Sequence, residues 1–359
     1  MANQTIAIPI EVEELTADWF TEIVQSRAPG AVVDSVELID RSSGTTGRAR
    51  VGLTSTDERI PSTMFVKLPP FTADGRAMVI STAMGVSEAR FYEDIASWLP
   101  VRTPPVWHAA HDLETNGYIM VFADLSAAGA TQPTQEEADA FDFATQVMEV
   151  FARFHAAMYG SPRIGPGGDL QWVGERTHGY GKEAGNAILR NGVRDFGDQM
   201  PPVFHEMAEL YLARSVEFND VLFRGTQTLV HGDCHIGNML RDDEGPILLD
   251  WALVSNGPGL RDVAYFIGNS IPYEVRHTHE QDLLRTYLAA LAGHGVEISW
   301  DDAWDDYRLQ MVAGWIAAAM TASMGDWCQP LSIGMRATER SNLALEELDV
   351  VPLLRQKLG

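Results

Sequence analysis

The chain has 359 residues, 45% of them apolar and 21% charged, a composition typical of a folded globular protein with one large core or two smaller ones. It excludes an intrinsically disordered or fibrous protein. Lysine and arginine total 26 against 50 aspartate and glutamate residues, and the formal charge of −24 argues against nucleic acid or an anionic membrane as a partner.

The first third of the chain is predicted to be rich in β-structure. Helical spacing of apolar residues indicates an amphipathic helix over 13–27, and a hairpin with the turn SSGTTG is expected over 32–55. A third strand is expected at 62–70, a helix at 86–99 and another strand at 117–125. These elements predict a small β-rich lobe with one prominent helix.

After about residue 125 helical patterns predominate, interrupted by one small hairpin between 228 and 251. The predicted helices lie within 130–160 and at 201–224, 260–270, 275–293, 301–324 and 335–347. We see no internal repeat and no low-complexity linker. The predicted fold class is therefore α+β with two lobes, residues 1–122 and 123–359.

Cysteine usage and the N-terminal residues predict a cytoplasmic location. Cys234 and Cys328 are the two cysteines of the sequence, so a disulfide framework is not expected. The segment MANQTIAIPIEVEEL lacks the basic and apolar regions of an export signal, and the apolar stretch 311–324 is too short to span a bilayer.

The segment HGDCHIGN, residues 231–238, is compatible with three kinds of site. His231, Asp233 and His235 alternate as metal ligands can, and Cys234 stands between two histidines as a nucleophile can. Asp233 and Asn238 lie five residues apart, the spacing of the base and a magnesium ligand in a kinase catalytic loop.

The rest of the chain favours the third interpretation. A zinc site requires a second ligand cluster, and the candidate HTH at 277–279 lies in a polar helical stretch typical of a solvated face. A cysteine nucleophile requires a base and an oxyanion hole, for which the sequence offers no candidates. Phosphoryl transfer requires a lysine on the nucleotide phosphates, a backbone cradle and two magnesium ligands.

Each of those parts has a candidate in the expected order. Glycines in the turn at 42–47 allow backbone N–H groups to approach phosphate, and Lys67 near a strand end has a helical partner in Glu88. Asp233 is the candidate base. Asp250 ends the strand GPILLD, and the intervening hairpin is expected to bring it close to Asn238.

These motifs resemble the aminoglycoside phosphotransferase/choline kinase-like family, which has a protein-kinase-like fold. The resemblance is carried by four segments: VHGDCHIGNML (230–240), ILLDWALVSNGPGLRDVAYFIG (247–268), FARFHAAMYG (151–160) and VSEARFYEDI (86–95). The loop form G-T-T-x-R-A-R is also similar to the ecdysteroid-kinase-like branch, whose acceptors are hydroxylated hydrophobic molecules.

The resemblance implies a small β-rich N-lobe, a larger helical C-lobe, and transfer of a phosphoryl group from ATP to a small-molecule hydroxyl with Mg²⁺. It implies Asp262 as a structural brace of the catalytic loop. It assigns the base to Asp233, the metal ligands to Asn238 and Asp250, and nucleotide binding to Lys67, Glu88, Phe122 and Ala123. The phosphate contacts of Ser43, Gly44 and Thr45 are inferred from the position of their turn, which is not a protein-kinase G-x-G-x-x-G loop.

The acceptor is left open. The resemblance implies that residues 160–200 and 270–330 form its pocket, and a sterol-like or hydroxyacyl-like molecule is the alternative to an aminoglycoside. Aromatic residues and aspartates near Trp300 and Trp304 would suit a cationic acceptor, although an ordinary amphipathic helix explains them as well. A nucleotide-binding pseudo-kinase is a further alternative, which the intact Asp233, Asn238 and Asp250 argue against.

Overall fold

The computed structural model describes residues 6–133, 137–174, 181–325 and 330–359. Internal contacts divide the chain into two compact units. The first comprises Met1–Thr131, Leu240–Asp242 and Ile247–Leu253, and the second comprises Gln132–Met239, Asp243–Pro246 and Val254–Gly359. The lobe boundary at 122/123 stays a prediction. Cys328 and parts of the expected acceptor region, 175–180 and 326–329, lie outside the described residues.

The first unit is built on a five-stranded antiparallel sheet with the order β1-β2-β3-β5-β4. Its strands are β1 (Ser35–Ser43), β2 (Gly47–Thr54), β3 (Thr63–Leu68), β4 (Val106–Asp112) and β5 (Gly117–Ala123). Four of them match predicted strands. The edge strand β4 was not predicted, because all seven of its residues are half-buried and its sequence shows no alternation.

Three helices belong to this unit: α1 (Ala17–Ile23), α2 (Ala73–Thr82) and α3 (Met84–Asp94). The Thr16 side chain caps α1 by accepting a hydrogen bond from the backbone N–H of Trp19 at 3.3 Å. α1 buries its apolar stripe against one face of the sheet, in a core that includes Val51, Val66 and Val121. The opposite face carries Lys67, since side chains alternate along β3.

The second unit is mainly helical. Its helices are α4 (Glu137–Met158), α5 (Gly181–Phe196), α6 (Pro202–Leu222), α7 (Leu260–Ser270), α8 (Tyr273–Gly293), α9 (Trp300–Met324), α10 (Leu331–Glu347) and α11 (Val350–Leu358). α5 and α11 were not predicted. Close packing of α9 and α10 requires Gly334, because a Cβ there would lie 2.8 Å from the backbone of Ala322.

Four short strands complete the fold: β6 (Thr228–Val230), β7 (Met239–Asp242), β8 (Gly245–Leu248) and β9 (Ser255–Gly257). β6 pairs with β9, and β7 pairs with β8. β6 leads directly into the loop that begins at His231, and β8 leads into Asp250. Across the described ranges, no helix has both the length and the hydropathy needed to cross a bilayer.

Candidate active site

Lys67 is the centre of a buried ion cluster in the first unit. Its ammonium donates to both carboxylate oxygens of Glu88, at 2.8 Å and 2.6 Å, and lies 3.3 Å from Oδ1 of Asp250. Lys67 is 6% exposed and Glu88 is fully buried. The structure thus brings together three residues that the sequence analysis had selected from separate segments.

Helix α3 holds Glu88 in place through two contacts with its surroundings. Gly85 packs against the ring of Tyr118, where a Cβ would lie only 2.0 Å from a ring carbon. Six residues after Gly85, Phe91 stacks on Trp251 with ring centroids 4.0 Å apart and an interplanar angle of 6°. Since Trp251 follows Asp250 directly, the helix that carries Glu88 also packs against the segment that carries Asp250.

Asp250 has an unusual backbone conformation, with φ at +58°. Few residues other than glycine adopt this region, and aspartate is among those that tolerate it. The strand that leads into Asp250 is attached to the first unit through Arg102, whose carbonyl accepts from the Leu248 N–H at 2.9 Å and whose guanidinium binds Asp242 at 2.7 Å. These contacts fix the position of the strand and therefore the position of Asp250, the residue with the left-handed conformation.

The ion cluster shifts the protonation of its members. Burial raises the pKa of Glu88 to about 7, with Asp250 adding to the shift and Lys67 opposing it. Burial would lower the pKa of Lys67, but the two carboxylates outweigh it and raise that pKa. Lys67 therefore stays charged.

The turn between β1 and β2 lies close to this cluster in the sheet register. Ser43 pairs with Gly47, the Ser43 hydroxyl accepts from the Phe71 N–H at 3.2 Å, and the Gly44 N–H donates to the Thr46 carbonyl at 3.1 Å. Thr45 is half-buried at the tip of the turn. The Gly44 N–H is therefore already hydrogen-bonded within the turn.

Arg48 is a residue that the sequence analysis missed. It is the cross-strand partner of Lys67, so their side chains share one face of the sheet, and the Arg48 charge acts on both Lys67 and Glu88. Within the described part of the chain Arg48 forms no salt bridge. Knowing the register between β2 and β3 would have placed Arg48 opposite Lys67. That register depends on the length of the connection between the two strands and is not evident from residue types alone.

Phe122 and Ala123 form the end of β5, between β3 and β4. The Phe122 ring is buried against Tyr92, with centroids 4.8 Å apart, and the Ala123 N–H donates to the Pro105 carbonyl at 2.9 Å. The expected contact of these two residues with adenine stays a prediction.

Asp233 lies in the second unit, on the loop after β6, where two neutral groups donate hydrogen bonds to its carboxylate and Nε2 of His235 lies 3.7 Å from Oδ2. Tyr265 on α7 donates to Oδ1 at 2.8 Å, and the Asn238 amide nitrogen donates to Oδ2 at 3.1 Å and to the Asp233 carbonyl at 2.9 Å. The Asp233 side chain is 31% exposed. Tyr265 was not selected from the sequence, because only the fold brings a residue 32 positions away to this carboxylate.

Asp262 supports this loop from α7. Its carboxylate accepts from the backbone N–H groups of His231 at 2.6 Å and Gly232 at 3.0 Å, and His155 lies 3.3 Å away. Burial would raise the pKa of Asp262, but these contacts with His155 and the loop lower it. Asp262 is thus a buried, charged acceptor for the loop backbone.

The other two interpretations of this segment gain no support. Cys234 is fully buried, its thiol donates to the Asp262 carbonyl at 3.1 Å, and burial raises its pKa well above the usual range. A nucleophilic cysteine needs a lowered pKa and access to solvent. In the ranges that the structure describes, no three His, Cys, Asp or Glu residues form a group that could hold a metal.

The chain matches the model of the ecdysteroid kinase-like family over residues 45–298. Many solved structures share its fold, among them the following three. A choline/ethanolamine kinase family protein from Mesorhizobium loti has 14% identity, a TM-score of 0.51 and coverage of 95% of this chain and 99% of its own. Choline kinase from Cryptosporidium parvum Iowa II has 11% identity, a TM-score of 0.52 and coverage of 90% and 91%. Plasmodium vivax ethanolamine kinase has 12% identity, a TM-score of 0.50 and coverage of 90% and 83%.

These matches confirm the predicted α+β, two-lobed protein-kinase-like fold and the suspected family. The comparison with curated proteins finds no match. The family model covers well over half of the chain, including the Lys67 cluster and the Asp233 loop. The chain therefore belongs to the ecdysteroid kinase-like family and is a small-molecule kinase.

Proposed function

We propose that the protein transfers the γ-phosphoryl group of ATP to a hydroxyl of a small molecule and requires Mg²⁺. The observation that carries the proposal is the Lys67 ammonium, buried between Glu88 and Asp250. A buried lysine held at a fixed position by two carboxylates is a suitable point charge for the phosphates of a nucleotide.

The nucleotide is assigned to the first unit. Lys67 and Arg48 share one face of the sheet and contact the phosphates, and the turn carrying Ser43, Gly44 and Thr45 lies beside them. Because Glu88 and Asp250 already compensate the charge of Lys67, a triphosphate needs further cations, and Arg48 supplies one. Phe122 and Ala123 border the adenine.

Asn238 and Asp250 fit a magnesium ion by the chemistry of their donor atoms. The Asn238 amide nitrogen is occupied by Asp233, so the amide oxygen remains as an acceptor, and Asp250 contributes carboxylate oxygen. Hard oxygen ligands of this kind are those that Mg²⁺ prefers in proteins. When bound, Mg²⁺ neutralises charge on the phosphates.

Asp233 is the base in this proposal. As the bond between the acceptor oxygen and the γ-phosphorus forms, the bond from that phosphorus to the β–γ bridging oxygen breaks and ADP leaves. The acceptor hydroxyl gives its proton to Asp233, whose carboxylate is oriented by Tyr265 and Asn238.

An ATP-consumption screen over aminoglycosides, choline-like amines, sterols and hydroxy acids tests the reaction. We expect turnover by the wild-type protein with at least one acceptor class, and its loss in Asp233→Asn with nucleotide binding retained. Nucleotide binding without turnover of any hydroxyl compound would instead favour the pseudo-kinase. Metal analysis after dialysis against magnesium or zinc distinguishes the proposed site from the zinc alternative.

The family match supports a hydroxylated hydrophobic molecule as the first acceptor class to test, ahead of aminoglycosides. A cytoplasmic location stays a prediction. The absence of nucleic-acid partners also stays a prediction, which the charge of −24 supports.

A further inference from the structure

One of two neighbouring arginines of α10, Arg340, is hydrogen-bonded to α7, the helix that orients the proposed base. Nη1 of Arg340 donates to the Asn269 carbonyl at 3.1 Å, and the adjacent Ser341 hydroxyl donates to the Asn269 side chain at 2.7 Å. Arg336 lies one turn before Arg340, and the two side chains therefore occupy the same side of α10.

Asn269 connects this pair to the Asp233 loop through α7. Asn269 is one helical turn after Tyr265, which binds the Asp233 carboxylate, a separation of about 6 Å along the axis. The next residue, Ser270, accepts a hydrogen bond from the Ile236 N–H of the loop at 2.9 Å. The arginine pair thus belongs to the same part of the second unit as the proposed base.

The two guanidinium groups lack carboxylate partners of the kind that Arg276 and several other arginines of this unit have. Arg276, also on this side of α10, binds both Glu280 and Glu347. In the described ranges, no carboxylate lies within 4.0 Å of the Arg336 or Arg340 guanidinium.

The arrangement has a cost that a purely structural role does not explain. Arg340 is half-buried, and burial, followed by the charge of Arg336, lowers its pKa. Like charges one turn apart destabilise a helix. Arg340 has a structural role, because its hydrogen bond to the Asn269 carbonyl caps the C-terminal end of α7. Arg336 makes no such hydrogen bond to any residue that the structure describes, so this role does not explain why it is an arginine.

We propose that Arg336 and Arg340 form an oxyanion subsite for the acceptor, so that the substrate is a hydroxylated molecule bearing a carboxylate or phosphate group. Guanidinium groups bind such oxyanions through paired, charge-assisted hydrogen bonds. The assignment rests on the proposed function, because it places the hydroxyl at Asp233 and the oxyanion at the arginines.

The aromatic region of α9 does not favour a cationic acceptor instead. Trp304 stacks on Trp300 with centroids 5.6 Å apart, and the Arg285 guanidinium lies 4.5 Å from the centroid of the Trp300 ring. The Arg285 guanidinium therefore already makes the cation–π contact with Trp300 that the ammonium group of a cationic substrate would need.

The test uses four probes of equal chain length on the full-length protein: ω-hydroxydodecanoate, ω-hydroxydodecyl phosphate, methyl ω-hydroxydodecanoate and ω-aminododecanol. Binding is measured by calorimetry and transfer by ATP consumption. Arg336→Gln removes an exposed charge, and Arg340→Lys keeps a charge and one donor for Asn269 but removes the guanidinium fork. Arg285→Gln, on α8, is the matched control for net charge.

We expect the anionic probes to bind about 10- to 100-fold more tightly than the ester and the amine, the range of one or two charge-assisted hydrogen bonds. Arg336→Gln removes that preference and raises KM rather than lowering kcat, whereas Arg285→Gln retains it. Comparing the carboxylate with the phosphate identifies which oxyanion the subsite prefers.

Equal binding of ester and acid, preference for the amine, a preference that survives Arg336→Gln, or failure of both oxyanion probes to bind would overturn the subsite. Failure of the proposed function has a different signature. In that case the anionic probes bind in an Arg336-dependent manner, but neither they nor any other hydroxyl compound is phosphorylated.

Discussion

The Lys67 cluster and the Asp233 loop hold their carboxylates in opposite ways. Glu88 is fully buried and bound by a cation, whereas Asp233 is 31% exposed and its two hydrogen-bond donors are neutral. Glu88 thus serves as the counterion that positions Lys67, and its burial raises its pKa. A group that must accept a proton is best oriented without a strong positive charge upon it.

The largest effect is expected at the base. Asp233→Asn removes the proton acceptor while keeping the hydrogen-bonding shape, and kcat should fall by about 10²- to 10⁴-fold. The affinity for ATP, measured by calorimetry, should change little, since the nucleotide is assigned to the first unit. An unchanged kcat would show that Asp233 is not the base. It would also remove the functional contrast between the Lys67 cluster and the Asp233 loop.

Asp262 should affect stability more than binding. Asp262→Ala leaves the buried N–H of His231 and the partly buried N–H of Gly232 without an acceptor. We expect a loss of roughly 2–5 kcal/mol in the free energy of unfolding, measured with urea. Asp262→Asn keeps one carbonyl acceptor and should lose less. Equal stability of all three proteins would contradict the role of Asp262 as a brace.

Removing the Lys67 charge should weaken nucleotide binding. For Lys67→Met we expect about 10- to 100-fold lower affinity for ATP, the range of one or two charge-assisted hydrogen bonds, and a smaller change for adenosine, which has no phosphates. The double variant Lys67→Met/Glu88→Gln controls for the carboxylate left without its partner. Equal losses for ATP and adenosine would place Lys67 away from the phosphates.

The raised pKa of Glu88 predicts a pH dependence of nucleotide use. Glu88 is ionised above about pH 7 and protonated below it, so the ion pair with Lys67 is present at higher pH and is lost as the pH falls. The kcat/KM for ATP should therefore decline as the pH falls through about 7. In Glu88→Gln this inflection should be absent, and its persistence would assign it to another group.

The smallest effect is expected at Tyr265. Tyr265→Phe removes one neutral donor from Asp233, and kcat should fall by about 2- to 10-fold. Tyr211→Phe, at another partly buried tyrosine of the second unit, is the matched control. A loss as large as that of Asp233→Asn would mean that Tyr265 takes part in proton transfer directly.

Much of the fold and the order of the site residues could be predicted from the sequence, because the responsible signals are local. The hairpin β1–β2 follows from a glycine-rich turn between two strand-forming segments. The five-residue interval from Asp233 to Asn238 is likewise local, and the structure closes it with a hydrogen bond.

The parts that were missed depend on tertiary packing. α5 contains Gly181, Gly185 and Gly192, which lower its helical propensity. A Cβ at Gly192 would lie 2.0 Å from the Ser323 hydroxyl oxygen, so close packing requires a glycine at a position where glycine disfavours the helix. Tyr265 and Arg48 acquire their neighbours only through a helix orientation and a strand register, which no run of residue types specifies.

The contact between Gly85 and Tyr118 bears on regulation. A helix that carries the lysine partner can act as a switch if it moves away from the sheet, as kinases exploit. Here α3 lies so close to Tyr118 that no side chain fits at Gly85, and the Phe91–Trp251 stack holds its other end. We expect the Lys67–Glu88 pair to form without a movement of α3 whenever Glu88 is ionised, so that flux through this enzyme follows the supply of acceptor rather than an activation signal.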